Sequence, residues 1–268
     1  MPDSSHRRLL YAHRGAAAEF PENTLPSFRR ALEIGVDVLE TDLHMTVDGH
    51  VIVSHDPTAM RMAGVAARYA SSTLAEVKSW DAGHGYVDAD GHRPHAGKGI
   101  RIPTLEELLL EFPGVALNVD IKQATPPMVC SVLALLRRTR SVDRVTVASF
   151  STRIILEVRR RGYEGRTALS FAEIASFLAL SPRRWRAVWR RMGGLADSAQ
   201  LPCRQNGISL DTSVRIQALH ALGMRVDYWT INDPGKAKQL LERGADGIMT
   251  DDPARIRPVF DALTKDSS

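Results

Sequence analysis

The segment VLETDLH, residues 38–44, is a short run of β-branched and apolar residues with two carboxylates at alternate positions. Side chains two residues apart on a strand point to the same face. Glu40 and Asp42 therefore lie together on one side of the strand that this segment predicts.

Similar β-branched or apolar runs recur along the chain with helical stretches between them. This alternation is expected of repeated βα units around a parallel sheet. No Gly-rich dinucleotide fingerprint follows any of the runs, which favours a closed (β/α)8 TIM barrel over an open doubly wound sheet. The eight predicted strands are residues 9–14, 38–44, 116–122, 145–150, 167–171, 207–211, 225–230 and 247–250.

One interruption of the alternation follows the second strand. Residues 51–54 come after the dipeptide Asp48-Gly49, which favours a tight hairpin turn, so we predict a hairpin attached to strand two. Residues 57–103 are rich in Gly, Ala, Asp and His and predict a long loop insertion in which residues 72–79 form a helix.

A second predicted insertion, residues 172–206 between strands five and six, carries the densest basic cluster of the chain. Within it, residues 176–192 predict a basic helical segment in which Pro182 suits a helix start and Trp185 and Trp189 lie one turn apart. Either the tryptophans pack against the barrel while the arginines face solvent, or the segment makes peripheral contact with anionic lipid. Packing is the favoured interpretation.

The bulk composition is that of one soluble domain. The chain has 268 residues of which 44% are hydrophobic, which predicts a single domain over residues 1–268 with short polar tails at about 1–8 and 264–268. Its two cysteines fit neither a disulfide framework nor a zinc motif, and no signal peptide or membrane span is visible, so we expect a cytoplasmic protein. A net charge of +4 without any recognition motif argues against a nucleic-acid binder.

Three carboxylates are predicted to meet at one end of the barrel. Asp120 and Lys122 alternate in NVDIK as Glu40 and Asp42 do in LETDLH, and both pairs lie toward the carboxyl ends of their strands. That end forms the active-site rim of a barrel. Carboxylates so close repel one another unless protons or a cation neutralise them, which favours bound Mg²⁺ or Ca²⁺. The alternative is an ion-pair network with arginines.

Two histidines lie at strand ends beside these carboxylates: His13 ends strand one and His55 ends the hairpin. One could act as base and the other as acid in phosphodiester cleavage, which needs both an activated nucleophile and a protonated leaving oxygen. Arg14 and Lys122 add positive charge suited to a phosphoryl group, although either could pair instead with Glu22 or Asp120.

An ordered set of motifs resembles the glycerophosphodiester phosphodiesterase family. These are AHRG at 12–15, PENT at 21–24, ETD at 40–42, DGHVIVSHD at 48–56, NVDIK at 118–122, YWTIN at 228–232 and GADGIMTDDP at 244–253. The resemblance implies a metal-dependent hydrolase of lipid and glycerol metabolism that releases glycerol 3-phosphate and an alcohol. It implies metal ligands at Glu40, Asp42 and Asp120, catalysis by His13 and His55, and substrate contacts from Arg14, Lys122 and Trp229.

The chain departs from the family at Asp120, where glutamate is usual and where related sphingomyelinase D-like phospholipases carry aspartate. The shorter side chain still ligates hard cations. Two alternative functions stay open because of this departure. One is a lysophospholipase D-like enzyme on the same barrel, and the other is a barrel that binds phospholipid headgroups without turnover. The sequence leaves open the metal, the alcohol, the attacking group and the oligomeric state.

Overall fold

Short strands alternate with helices through the computed structural model, which describes residues 7–192 and 196–265. Most of the two predicted polar tails lies outside the described residues. The strands are β1 Leu9–His13, β2 Val38–Met45, β3 Val51–Val53, β4 Ala116–Ile121, β5 Val145–Ala148, β6 Arg166–Thr167, β7 Ser198–Leu201, β8 Arg204–Gln205, β9 Ile208–Ser209, β10 Arg225–Tyr228 and β11 Gly247–Thr250.

Helices connect most of these strands and cover the outer face of the sheet. They are α1 Leu25–Ile34, α2 Met60–Ala63, α3 Leu74–Ser79, α4 Leu105–Glu111, α5 Val129–Arg138, α6 Thr152–Arg160, α7 Phe171–Ala179, α8 Pro182–Met192, α9 Ser213–His220, α10 Pro234–Glu242 and α11 Pro253–Lys265. None of those described is long and apolar enough to cross a membrane.

Eight parallel strands form the nearly closed barrel that the sequence predicts. They pair in the order β6-β5-β4-β2-β1-β11-β10-β7, and a single parallel bridge between Ala168 and Ser198 joins the two ends. Outward residues such as Leu39 and Val119 are fully buried under the helices. Because strand side chains alternate, Glu40 and Asp42 point into the barrel. The hairpin prediction is also confirmed, since β3 pairs antiparallel with β2.

One predicted strand is wrong. Ile208–Ser209, inside the predicted strand 207–211, pairs antiparallel with Arg204–Gln205 outside the barrel. The sixth barrel strand is instead Ser198–Leu201, which lies within the predicted insertion and pairs in register with Arg225–Tyr228. Its sequence, SAQL, has no β-branched residue, so local propensity gives no strand signal, and partner strands decide its conformation.

The basic helical segment consists of α7 and α8, and α8 begins at Pro182 as predicted. Trp185 is 0% and Trp189 4% exposed, and their ring N–H groups donate to Glu173 O and Ser176 Oγ. The tryptophans are therefore packed inside the protein, as in the favoured interpretation, and are not available to insert into a lipid surface. In the loop-rich segment 57–103, the predicted helix is α3, where Thr73 and Glu76 form a capping box.

Candidate active site

All the candidate site residues line one pocket of about 230 Å³ at the carboxyl end of the barrel strands. The structure thus brings together side chains from β1, β2, β4 and the segments that follow β1, β3, β4 and β10. The predicted members are His13, Arg14, Glu40, Asp42, His55, Asp120, Lys122 and Trp229.

The three carboxylates are buried side by side in this pocket. Burial together with the neighbouring Asp42 raises the pKa of Glu40 to about 8. Burial also raises the pKa of Asp120, although Lys122 opposes the shift. Asp42 differs, because Lys122 and Arg14 outweigh the effect of burial and lower its pKa. The site therefore carries unequal carboxylates, and in Glu40 the effects of burial and of Asp42 outweigh the opposing charges of His13 and Lys122.

The side chains of Lys122 and Arg14 form ion pairs with two of these carboxylates. Lys122 Nζ lies 3.0 Å from Asp42 Oδ1 and 2.7 Å from Asp120 Oδ2, and Arg14 Nε lies 3.2 Å from Asp42 Oδ2. Arg14 also contacts Glu22 at 3.2 Å, so both predicted pairings occur. Since these pairs hold Arg14 and Lys122 at the pocket wall, the two side chains are placed to meet an anionic ligand there.

His13 is held by a carboxylate from the other end of the chain. Its Nδ1 lies 2.6 Å from Asp251 Oδ1, and Asn232 Nδ2 donates to the second oxygen of Asp251 at 2.9 Å. The other ring nitrogen, Nε2, lies 3.9 Å from Glu40 Oε2. Burial lowers the pKa of His13, but Glu40 and Asp251 more than offset this, so the net shift is upward.

His55 has an equivalent arrangement in the same pocket. Its Nδ1 lies 2.8 Å from Asp56 Oδ1, and Arg61 holds the other oxygen of Asp56 at 2.6 Å. His44, which is buried, contacts the backbone oxygen of His55 through Nε2 at 3.1 Å. In both histidines, a carboxylate fixes Nδ1 and leaves Nε2 for the pocket, an arrangement suited to proton transfer.

Sequence reasoning missed several members of the site, among them Asn118, Phe150, Gln200 and Asp251. Asn118 and Gln200 hydrogen-bond reciprocally across the barrel at 2.7 and 3.3 Å. Phe150 and Trp229 stack edge to face with ring centroids 5.6 Å apart, and Phe150 also lies 5.5 Å from Lys122 Nζ. Asn118 could have been found, since it points to the same face as Asp120 two residues away, whereas Gln200 lies in the strand that was not predicted.

The donor set fits a hard divalent cation. Three carboxylates supply the oxygen ligands that Mg²⁺ and Ca²⁺ prefer, and Asp120 Oδ1 is buried without a hydrogen-bond partner. Elsewhere in the described chain, Asp88, Asp90 and His92 form a surface group whose ligand atoms all lie within 4.8 Å of one another. That group is mostly exposed and does not line the pocket, and exposed acidic groups commonly lack a metal.

Comparison with known proteins identifies one family. Residues 13–255 match the model described as the glycerophosphoryl diester phosphodiesterase family. The "Probable glycerophosphodiester phosphodiesterase 2" of Mycobacterium tuberculosis is 32% identical over 94% of this chain and 90% of its own length. A human lysophospholipase D is 27% identical over 92% of this chain and 84% of its own.

Solved structures share the fold over nearly the whole chain. A crystal structure from Silicibacter pomeroyi DSS-3 superposes with a TM-score of 0.79 at 28% identity, covering 97% of this chain and 95% of that one. An Oleispira antarctica phosphodiesterase, solved with the product sn-glycerol-3-phosphate, has a TM-score of 0.75 at 22% identity and covers 94% of this chain and 96% of its own. At that identity, the second likeness shows the fold alone.

Proposed function

Because this chain belongs to the glycerophosphoryl diester phosphodiesterase family, we propose that it hydrolyses glycerophosphodiesters to glycerol 3-phosphate and an alcohol. The observation that carries this proposal is the pocket itself, where two carboxylate-held histidines face three buried carboxylates and two cations. The complete set argues against a barrel that only binds headgroups.

We assign proton transfer to His13 and His55. Hydrolysis forms one bond from an attacking oxygen to phosphorus and breaks the bond from phosphorus to the alcohol oxygen. One histidine takes the proton of the attacking group, and the other gives a proton to the departing alcohol. Asp251 and Asp56 orient the rings so that each Nε2 faces the pocket. The attacking group is either a water, which gives glycerol 3-phosphate directly, or a hydroxyl of the substrate, which gives a cyclic phosphodiester that a water must then open to glycerol 3-phosphate.

Glu40, Asp42 and Asp120 would hold the divalent cation, Mg²⁺ or Ca²⁺. When bound, such a cation polarises a phosphoryl oxygen and neutralises charge in the transition state. Arg14 and Lys122 supply positive charge at the same wall and bind the phosphate, while Trp229 forms the side of the pocket next to Phe150. The raised pKa of Glu40 supports this assignment, because burial and Asp42 disfavour its charged form and a bound cation would stabilise that form.

Product identity tests the proposed reaction. With glycerophosphocholine and added Mg²⁺ or Ca²⁺, we expect glycerol 3-phosphate and free choline in equal amounts, measured by coupled enzyme assays. Glycerol and phosphocholine would place the cleavage on the other side of phosphorus and contradict the proposal. A second assay uses lysophosphatidylcholine as substrate and measures the release of lysophosphatidic acid. It tests for lysophospholipase D activity, which is the activity in the name of the human relative.

Asp251 is a positioning residue in this scheme, since it contacts His13 and not the reacting atoms. Asp251→Asn is expected to lower kcat by about 10- to 100-fold, as loss of a carboxylate behind a histidine typically does. It should also shift the limb of the pH profile that depends on His13 to lower pH, because Asp251 raises the pKa of that ring.

The matched control is Asp252→Asn, one residue along the chain, where the carboxylate accepts from the Arg255 backbone N–H. We expect the kcat and pH profile of this variant to stay near wild type. A loss of kcat in Asp251→Asn without any shift of the pH profile would assign Asp251 a structural role only.

A further inference from the structure

An apolar groove of about 370 Å³ opens beside the catalytic pocket, outside the site described so far. One wall is helix α7, which contributes Phe171, Ile174 and Leu178. The other wall is the chain that follows β7, which contributes Pro202 and Ile208. The groove lies above the place where the barrel is least closed, because β6 and β7 are joined by one bridge between Ala168 and Ser198.

The groove and the catalytic pocket share part of their lining. A small cavity of about 40 Å³ lies between them and is lined by Asp120 on one side and by Phe171 and Ile174 on the other. Phe150, Gln200 and Trp229 line all three spaces. The aromatic pair Phe150 and Trp229 therefore lies on the border between the carboxylate pocket and the groove.

The side chains that line the groove favour binding of a hydrocarbon chain. Among the residues that the structure describes, no charged side chain lines the groove, and its polar side chains are three amides and the indole of Trp229. Several of its large apolar side chains are open to solvent: Phe150 is 54%, Phe171 46% and Ile208 43% exposed. Contiguous exposed apolar surface of this kind is unfavourable in water and is typical of a ligand-binding groove. Trp185 and Trp189, in contrast, are buried and do not contribute to it.

We propose that this groove binds a linear hydrocarbon chain of the substrate, so that the preferred substrates are glycerophosphodiesters that carry one long acyl or alkyl chain. The inference rests on the proposed function, because the phosphodiester occupies the catalytic pocket while the chain extends past Phe150 and Trp229. Burial of each further methylene is worth about a fourfold gain in affinity or kcat/KM. Selectivity should therefore rise steeply with chain length until the groove is filled.

Binding is tested first without turnover, using n-butyl, n-hexyl and n-octyl phosphate in buffer containing Mg²⁺ and isothermal titration calorimetry. We expect octyl phosphate to bind at least about tenfold more tightly than butyl phosphate. Ala175→Phe places a ring in the groove from an exposed position on α7 and should abolish this dependence on chain length. Ala172→Phe, exposed on the same helix but outside the groove, is the matched control and should retain it.

Turnover then distinguishes the two places at which the chain could be attached. One series carries an acyl chain on the glycerol, as in lysophosphatidylcholine, and the other carries an n-alkyl alcohol as the leaving group. We expect kcat/KM to rise with chain length in one series or both, and Ala175→Phe to remove the rise while leaving glycerophosphocholine hydrolysis within about twofold of wild type.

Affinity and kcat/KM that do not depend on chain length, or an equal effect of Ala175→Phe and Ala172→Phe, would overturn the proposal. Its failure is distinguishable from failure of the proposed function. If no phosphodiester is hydrolysed but alkyl phosphates bind according to chain length, the groove assignment stands and the reaction assignment falls. If glycerophosphocholine is hydrolysed but chain length has no effect, the reverse holds.

Discussion

Replacement of His13 or of His55 by alanine is expected to lower kcat for glycerophosphodiester hydrolysis by about 10²- to 10⁴-fold. Each substitution removes one partner of the proton transfers, and this is the usual contribution of a positioned acid or base. Substrate binding should change little, since Arg14 and Lys122 keep their places at the pocket wall. The measurement is kcat and KM for each variant, with a binding titration of a substrate analogue.

The double variant should be less than additively impaired, because residues that act as a unit are not independent. His92→Ala is a suitable control, as the side chain of His92 is 76% exposed and remote from the pocket. Near-normal turnover in His55→Ala would remove that residue from the mechanism.

The pH dependence of kcat follows from the acid and base roles of His13 and His55. The base must be neutral, so the rate falls as pH drops below its pKa; the acid must be protonated, so the rate falls as pH rises above its pKa. A bell-shaped profile of kcat is therefore expected. Although burial lowers the pKa of His13, Glu40 and Asp251 raise it further, so the limb that depends on His13 should lie above the ordinary histidine value of 6.5.

Removal of divalent metal by a chelator is expected to abolish hydrolysis, and added Mg²⁺ or Ca²⁺ should restore it. The expected loss is large because the cation would stabilise transition-state charge by several kcal/mol. Asp120→Asn removes one anionic ligand and should raise the metal concentration needed for half-maximal rate, with the barrel still folded. The control Asp90→Asn alters the surface group of Asp88, Asp90 and His92 and should leave the metal dependence unchanged.

Metal binding should also release protons, which gives a readout that does not depend on activity. With no cation present, Glu40 should keep its proton to a higher pH than an ordinary glutamate, because burial and Asp42 raise its pKa. A bound cation favours the ionised form, so calorimetric titrations in buffers of different ionisation enthalpy should detect proton release at pH 7 and less at pH 9. Full activity in excess chelator, with no metal found in the protein, would defeat the metal assignment.

The local pattern of the sequence was sufficient to predict part of the pocket lining. The two-residue period of a strand places Glu40 with Asp42, and Asp120 beside the end of its strand, without any knowledge of neighbours. His13 and His55 follow directly after apolar runs, so their position at strand ends was also visible. These features depend only on residues close together in the chain, which is why the pocket members could be named from the sequence.

Contacts between distant parts of the chain were decided by the tertiary structure. Asp251 reaches His13 across 238 residues because β1 pairs with β11, and Gln200 meets Asn118 across 82 residues because Ser198–Leu201 forms the sixth barrel strand. That strand has weak intrinsic propensity and is held by its pairing with β10, whereas the more strand-like residues 207–211 lie outside the barrel. The apolar groove likewise exists only because α7 and the segment after β7 meet beside the gap between β6 and β7.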